Sequence, residues 1–164
     1  MGILRGDKDY GKYIGVNISL ISDLLLTFKM GLTIMMSDHG TLAFKLEDNI
    51  LMIEGCGPWN KEAMILSTHN AGLVQRQRKK ARWGVIAVLN GDPIHTPDAA
   101  QLLIEYVKYD KQNGRIATAL ILTDSTCPEL AKRHIADLYD KAGEDYQFFS
   151  NICDAKIWMA TVLA

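Results

Sequence analysis

The chain predicts an α/β domain built on a single mixed β-sheet with covering helices, in the order ββαβαβαβα. Three observations carry that reading. Two short strand-like runs come first, just after residue 40; helix and strand then alternate three times; and a last helical segment closes the chain. This order implies one antiparallel strand beside a parallel set joined by right-handed crossovers that carry the helices.

Thr41 to Leu46 sets Leu42, Phe44 and Leu46 on one face with smaller or polar residues between them, the period of a half-buried strand. Glu47, Asp48 and Asn49 supply a turn, and Ile50 to Ile53 resumes as an apolar run, so these two strands are expected to pair antiparallel. Asn60 is placed to cap a first helix with Ala63, Leu66 and Leu73 on its apolar side, a stripe interrupted by His69 and Asn70. Val85 to Leu89 and Ile116 to Leu122 are apolar with little alternation, as strands covered on both faces of a parallel sheet should be. Between them Thr96, Pro97 and Asp98 give a hydroxyl cap, a proline at the first helical position and an early carboxylate. Ala99, Leu102, Leu103, Tyr106 and Val107 then follow at helical spacing.

Thr126-Cys127-Pro128-Glu129 has the pattern of a capping box, with Leu130, Ile135 and Leu138 behind it and Gly143 placed to stop that helix. Tyr146 to Phe149 is short and flanked by polar residues, which suits an edge strand. A final helix follows, started by Ser150 or Asn151, with Ala155, Trp158, Met159 and Val162 along one face.

A chain of 164 residues with 48% hydrophobic content is enough for one core. The domain is expected over 40–164, with 1–39 an N-terminal arm or an extension of the reading frame. Within that arm Tyr13 to Met36 is apolar but broken by Asp23 and Lys29, which makes it a poor membrane span and a poor signal peptide. Stable membrane insertion is therefore not expected. A net charge of -1 gives no global attraction to nucleic acid, and none is expected as a partner. Cys56, Cys127 and Cys153 are odd in number and lie in no CxxC spacing, so neither a disulfide framework nor a zinc site is expected, and a reducing cytoplasm suits them.

The turn Gly55-Cys56-Gly57-Pro58-Trp59-Asn60 after the second strand, the ending from Phe148-Phe149 through Ala155 to Trp158, and the element order over 40–163 resemble the STAS-like superfamily, the fold of anti-sigma-factor antagonists and their uncharacterised bacterial relatives. The resemblance implies a non-enzymatic regulatory module without a cofactor, which binds a protein partner or a small ligand. In the antagonists a phosphorylatable serine motif precedes the second helix. Here that stretch reads Asn90-Gly91-Asp92-Pro93-Ile94-His95-Thr96 and has no serine.

Candidate binding residues gather where strands end and helices begin, a position that leaves unpaired N–H donors. They are Trp59 and Asn60 after the second strand, Asn90, Asp92, His95 and Thr96 after the third, and Asp124 and Ser125 after the fourth. Thr96 is also explained as a cap, His95 as a solvent-facing loop residue, and Trp59 as core. Asp92 and Asp124 would repel an anion, which favours a polar or cationic partner group. No Gly-x-Ser-x-Gly motif is present, and His39, His69 and His134 show no metal-ligand spacing, so no catalytic or metal residue is assigned. Arg76, Arg78, Lys79, Lys80 and Arg82 form the densest charge run and suit either an acidic partner or a solvated helix end. The alternative function is a small enzyme or lipid-handling protein using the strand-end rim, which a deep apolar pocket would favour.

Overall fold

A computed structural model of the chain describes residues 32–37, 40–78 and 81–164, and for 32–37 the backbone alone. The expectations for the rest of the N-terminal arm, and for Lys79 and Lys80, lie outside the described residues. Among these, the elements in order are β1 (Leu32–Ser37), β2 (Gly40–Glu47), β3 (Ile50–Cys56), α1 (Lys61–Gln75), β4 (Trp83–Asn90), α2 (Pro97–Gln112), β5 (Arg115–Thr123), α3 (Pro128–Ala142), β6 (Tyr146–Phe149) and α4 (Ile152–Leu163). The fold is α/β, with a single mixed sheet in the spatial order β1-β2-β3-β4-β5-β6.

The first two predicted strands are β2 and β3, paired antiparallel with Phe44 opposite Ile53. Strand β1 adds a further antiparallel neighbour on the outside of β2, from a segment that the sequence pattern had set apart as an arm. From β3 onward each strand is laid down parallel to the one before, and β6 ends the sheet as an edge.

This strict order determines where the helices go. Right-handed crossovers that always step in the same direction place every connecting helix on one face. Thus α1, α2 and α3 share a face and a core with Phe44, Leu51, Val85, Ala87 and Leu120. Helix α4 follows the last strand and packs on the opposite face, where Ala155 and Met159 meet Ile86, Ala117 and Ala119. Gly84 makes that contact possible, since a Cβ there would lie 2.1 Å from the Met159 sulfur.

Several local expectations hold. The Asn60 side chain accepts from the Ala63 amide at 2.9 Å, Gly143 ends α3 in the left-handed region at φ 67°, and Asn151 caps α4 through the Asp154 amide at 2.9 Å. Others are corrected by packing. Leu66 and Leu130, expected on apolar stripes, are exposed, whereas Ser67 and Asn70 are buried on α1. The inward stripe of that helix is Ala63, Met64, Ser67, Asn70 and Val74. The capping box at Thr126 does not form. Cys127, not Thr126, is the cap residue of α3 and makes no side-chain cap bond, and Asp92 accepts from both the amide and the hydroxyl of Thr126. Thr96 does occupy the cap position of α2, yet its side chain accepts from no helix amide, and its hydroxyl donates to the Asp98 carboxylate at 2.6 Å.

A charged cluster that the sequence pattern did not reveal lies at the start of β5. The buried Arg115 donates from Nε to Glu144 Oε1 at 2.8 Å and from Nη2 to the Thr118 hydroxyl at 2.7 Å, and it reaches Asp110 Oδ2 at 3.4 Å. Thr118 in turn donates to the same Glu144 oxygen at 2.6 Å. Burial works against the charge of Arg115, and Tyr139, Glu144 and Asp110 around it outweigh that effect. Breaking a buried pair from one side leaves the other charge uncompensated. Glu144→Ala is therefore expected to cost about 3–5 kcal/mol in urea unfolding, whereas Arg115→Met combined with Glu144→Leu should cost less than that single change.

Candidate functional site

The predicted rim residues do come together, since β3, β4 and β5 are neighbouring parallel strands and their ends share one edge of the sheet. The rim is laced by its own hydrogen bonds. Trp59 N–H donates to the Ile94 carbonyl at 2.8 Å and Thr96 N–H to the Trp59 carbonyl at 3.0 Å, joining the loop before α1 to the loop before α2. Asp92 crosses to the next loop. One of its oxygens accepts from the Ser125 hydroxyl at 2.7 Å and the Thr126 amide at 2.9 Å, and the other from the Thr126 hydroxyl at 2.7 Å. The hydroxyls of Thr126 and Ser125 hold its carboxyl below the usual range, so it stays ionised. Asn90 accepts from the Thr123 hydroxyl and faces Glu54 at 3.5 Å.

Most of the polar capacity read as a binding rim is thus committed within the rim. Asn60 and Thr96 sit at helix starts, and Asp124 is exposed with a φ of 55°.

His95 is the residue placed most differently from expectation. It is 9% exposed and not a solvent-facing loop residue, because the bridge between Trp59 and His95 turns both side chains inward. The two rings lie 5.0 Å apart at the centroids. On its other side His95 Nδ1 is 3.2 Å from His134 Nε2 on α3, a contact in which one ring donates and the other accepts. Burial, and then the neighbouring His134, push the His95 pKa down to about 3, so the ring is neutral at ordinary pH. Burial also lowers that of His134.

Behind Trp59 and His95 the space between the sheet and helices α1 to α3 is incompletely filled. A cavity of about 110 Å³ lies there, with Phe44, Leu51 and Ala87 on the sheet side and Met64, Leu103 and Ile135 on the helix side. Polar groups interrupt this lining at Ser67, Thr68, Gln75, His95, Asp110 and Arg115. Ile53 aside, its half-buried members are Thr68, Ala71 and Gln75 of α1 and Leu103 and Tyr106 of α2, which puts the mouth between those two helices. Of the predicted site residues, Trp59 and His95 reach this cavity; Asn60, Asn90, Asp92, Thr96, Asp124 and Ser125 do not line it.

Sequence reasoning missed Ser67, Thr68, Asp110, Arg115 and His134. The available signal was weak: an arginine heading an apolar strand and hydroxyl residues amid a helical apolar stripe. The basic run is partly occupied too, with the Arg78 guanidinium 4.4 Å from the Trp83 ring centroid. Among the described residues no group of three His, Cys, Asp or Glu side chains is placed to hold a metal, the three cysteines are free, and no helix is long and apolar enough to cross a membrane.

No protein-family model, curated protein or solved structure matches the chain. The site is accordingly read from its own geometry.

Two outcomes follow from the rim and the histidine pair. Asp92→Ala removes the acceptor of the Thr126 amide, and hydrogen exchange should quicken at that amide while Ile86 in the sheet centre is unchanged. For His95 the folded pKa lies below the unfolded value near 6.5. Between about pH 6.5 and 3 the unfolded chain holds a proton that the folded chain lacks, so stability falls as pH falls. The slope from this group reaches about 1.4 kcal/mol per pH unit. Urea midpoints measured from pH 7 to pH 4 should fall less steeply in His95→Gln than in the natural chain.

Proposed function

We propose that this chain is a non-enzymatic binding module whose ligand is a small molecule held between the sheet and helices α1 to α3. The observation that carries the reading is the cavity of about 110 Å³, apolar over most of its lining and open between α1 and α2. Ligand sites are typically apolar concavities with a few placed polar groups, and this one has that composition. Binding without chemistry is favoured because the polar groups at hand are engaged with one another: Arg115 with Glu144, His95 with His134, Asp92 with Ser125 and Thr126. The hydroxyls that do stand beside a carboxylate, Ser125 and Thr126 at Asp92, belong to the rim and do not line the cavity.

The STAS-like reading of the fold is supported by the antiparallel β2-β3 pair that leads into α1, the sequential parallel strands and a closing helix on the opposite face, while β1 is a strand beyond the expected order. In that reading the domain is regulatory and bacterial, works in the cytoplasm, and engages a protein partner or a small ligand. The lipid-handling alternative gains from the apolar lining but is limited by size, since pockets that bury a drug-sized ligand run to about 300 Å³ or more. A cavity of about 150 Å³ takes a benzene-sized guest.

Benzene is accordingly the first probe. Titrating it into the full chain should raise the unfolding temperature with concentration, reaching about 2.7 kcal/mol of added stability at a hundredfold excess over Kd. Ala71→Phe, which fills the mouth, should abolish the rise. An unchanged melting temperature in the natural chain at saturating benzene sinks the proposal.

A further inference from the structure

We infer that the cavity selects a neutral, ring-sized molecule that carries one hydrogen-bond donor, a phenol or a compact alcohol, and rejects carboxylates and ammonium ions. The inference rests on the cavity being the binding site. It names the class of ligand from three features of the lining.

The first is charge. The acidic and basic groups of the lining are His95, Asp110 and Arg115; Tyr106 and Tyr139 add phenols, and burial raises the pKa of Tyr139 above its ordinary value. Arg115 also donates to Thr118, and its charge is matched by two carboxylates, Glu144 at 2.8 Å and Asp110 at 3.4 Å. It has no charge left over for an anion. Asp110 already faces that guanidinium, and burial raises its pKa, so it offers little to a cation. His95 is neutral and engaged with His134. A charged guest would therefore lose its hydration and find no free counter-charge, a cost that cavities of this kind do not offset.

Hydrogen bonding supplies the second feature. Two hydroxyls line the α1 wall, and both spend their proton on the helix backbone: Ser67 donates to the Ala63 carbonyl and Thr68 to the Met64 carbonyl, the latter at 2.8 Å. What they turn to other partners is oxygen lone pairs alone. Gln75 is engaged with Asp110. At Ser67 and Thr68 the α1 wall thus asks for a donor, which an ether, a ketone or a bare hydrocarbon cannot supply. Size is the third, for about 110 Å³ encloses a single ring or a short branched alcohol and little more.

Isothermal titration of the full chain at pH 7 with phenol, benzene, benzoate and benzylammonium tests this. Phenol should bind roughly two- to tenfold more tightly than benzene, the worth of one hydrogen bond to a neutral group. Benzoate and benzylammonium should show no heat of binding. In Thr68→Val, which keeps the shape of the side chain, and in Ser67→Ala combined with it, the preference for phenol should shrink toward one while benzene still binds. If the double variant does not fold, Thr68→Val alone decides.

Equal affinity for phenol and benzene, or tighter binding of benzoate or benzylammonium than of phenol, overturns the assigned class while leaving the cavity as the ligand site. Failure of benzene and phenol alike overturns both.

Discussion

The buried guanidinium of Arg115 is the constraint on which much of the helix-covered face depends. It stands at the first position of β5 and draws together Asp110 from the last turn of α2, Thr118 three residues further along the strand, and Glu144 from the link between α3 and β6. Arg115, Asp110 and Glu144 all stand where the chain passes between helix and strand. An uncompensated charge there would be costly, so the pair fixes how far α2 runs before β5 begins and where α3 must end. Gly143 in its left-handed conformation lets the chain turn directly from α3 to Glu144.

The same guanidinium forms one wall of the cavity, and His95 with Trp59 forms another. Between these two polar places the sheet and helices contribute side chains that do not fill the space. Interiors usually reach the density of organic crystals, so a gap of this size beside neatly packed strands is a departure from ordinary packing. The wall residues explain how it persists. Ala71 and Ala87 are short where a larger side chain would close the gap, and the helices above are held off by groups that are themselves pinned by hydrogen bonds.

The rim illustrates a different outcome. Strand ends in a parallel sheet leave donors and acceptors that can serve a ligand or be satisfied from within. Here Asp92 satisfies the start of α3 from the neighbouring loop, and the Trp59 to His95 bridge closes the loops before α1 and α2. The edge read from the sequence as a binding surface is thereby largely a structural seam, and the space for a guest lies beneath it.

Sequence by itself determined the element order from β2 onward, the antiparallel pairing of the strands at Thr41 to Leu46 and Ile50 to Ile53, the parallel character of β4 and β5, the caps at Asn60 and Gly143, and a last helix entered at Ser150 or Asn151. All of these rest on local periodicity, turn chemistry or backbone conformation, which a few neighbouring residues specify. Tertiary structure alone decided that β1 joins the sheet, that Asn70 turns in while Leu66 turns out, that Thr126 serves Asp92 and not its own helix, and that His95 meets His134 from 39 residues away. It alone decided the cavity as well. These depend on which side chains meet across a sheet-helix interface, and the volume left between such side chains has no local signature in the chain.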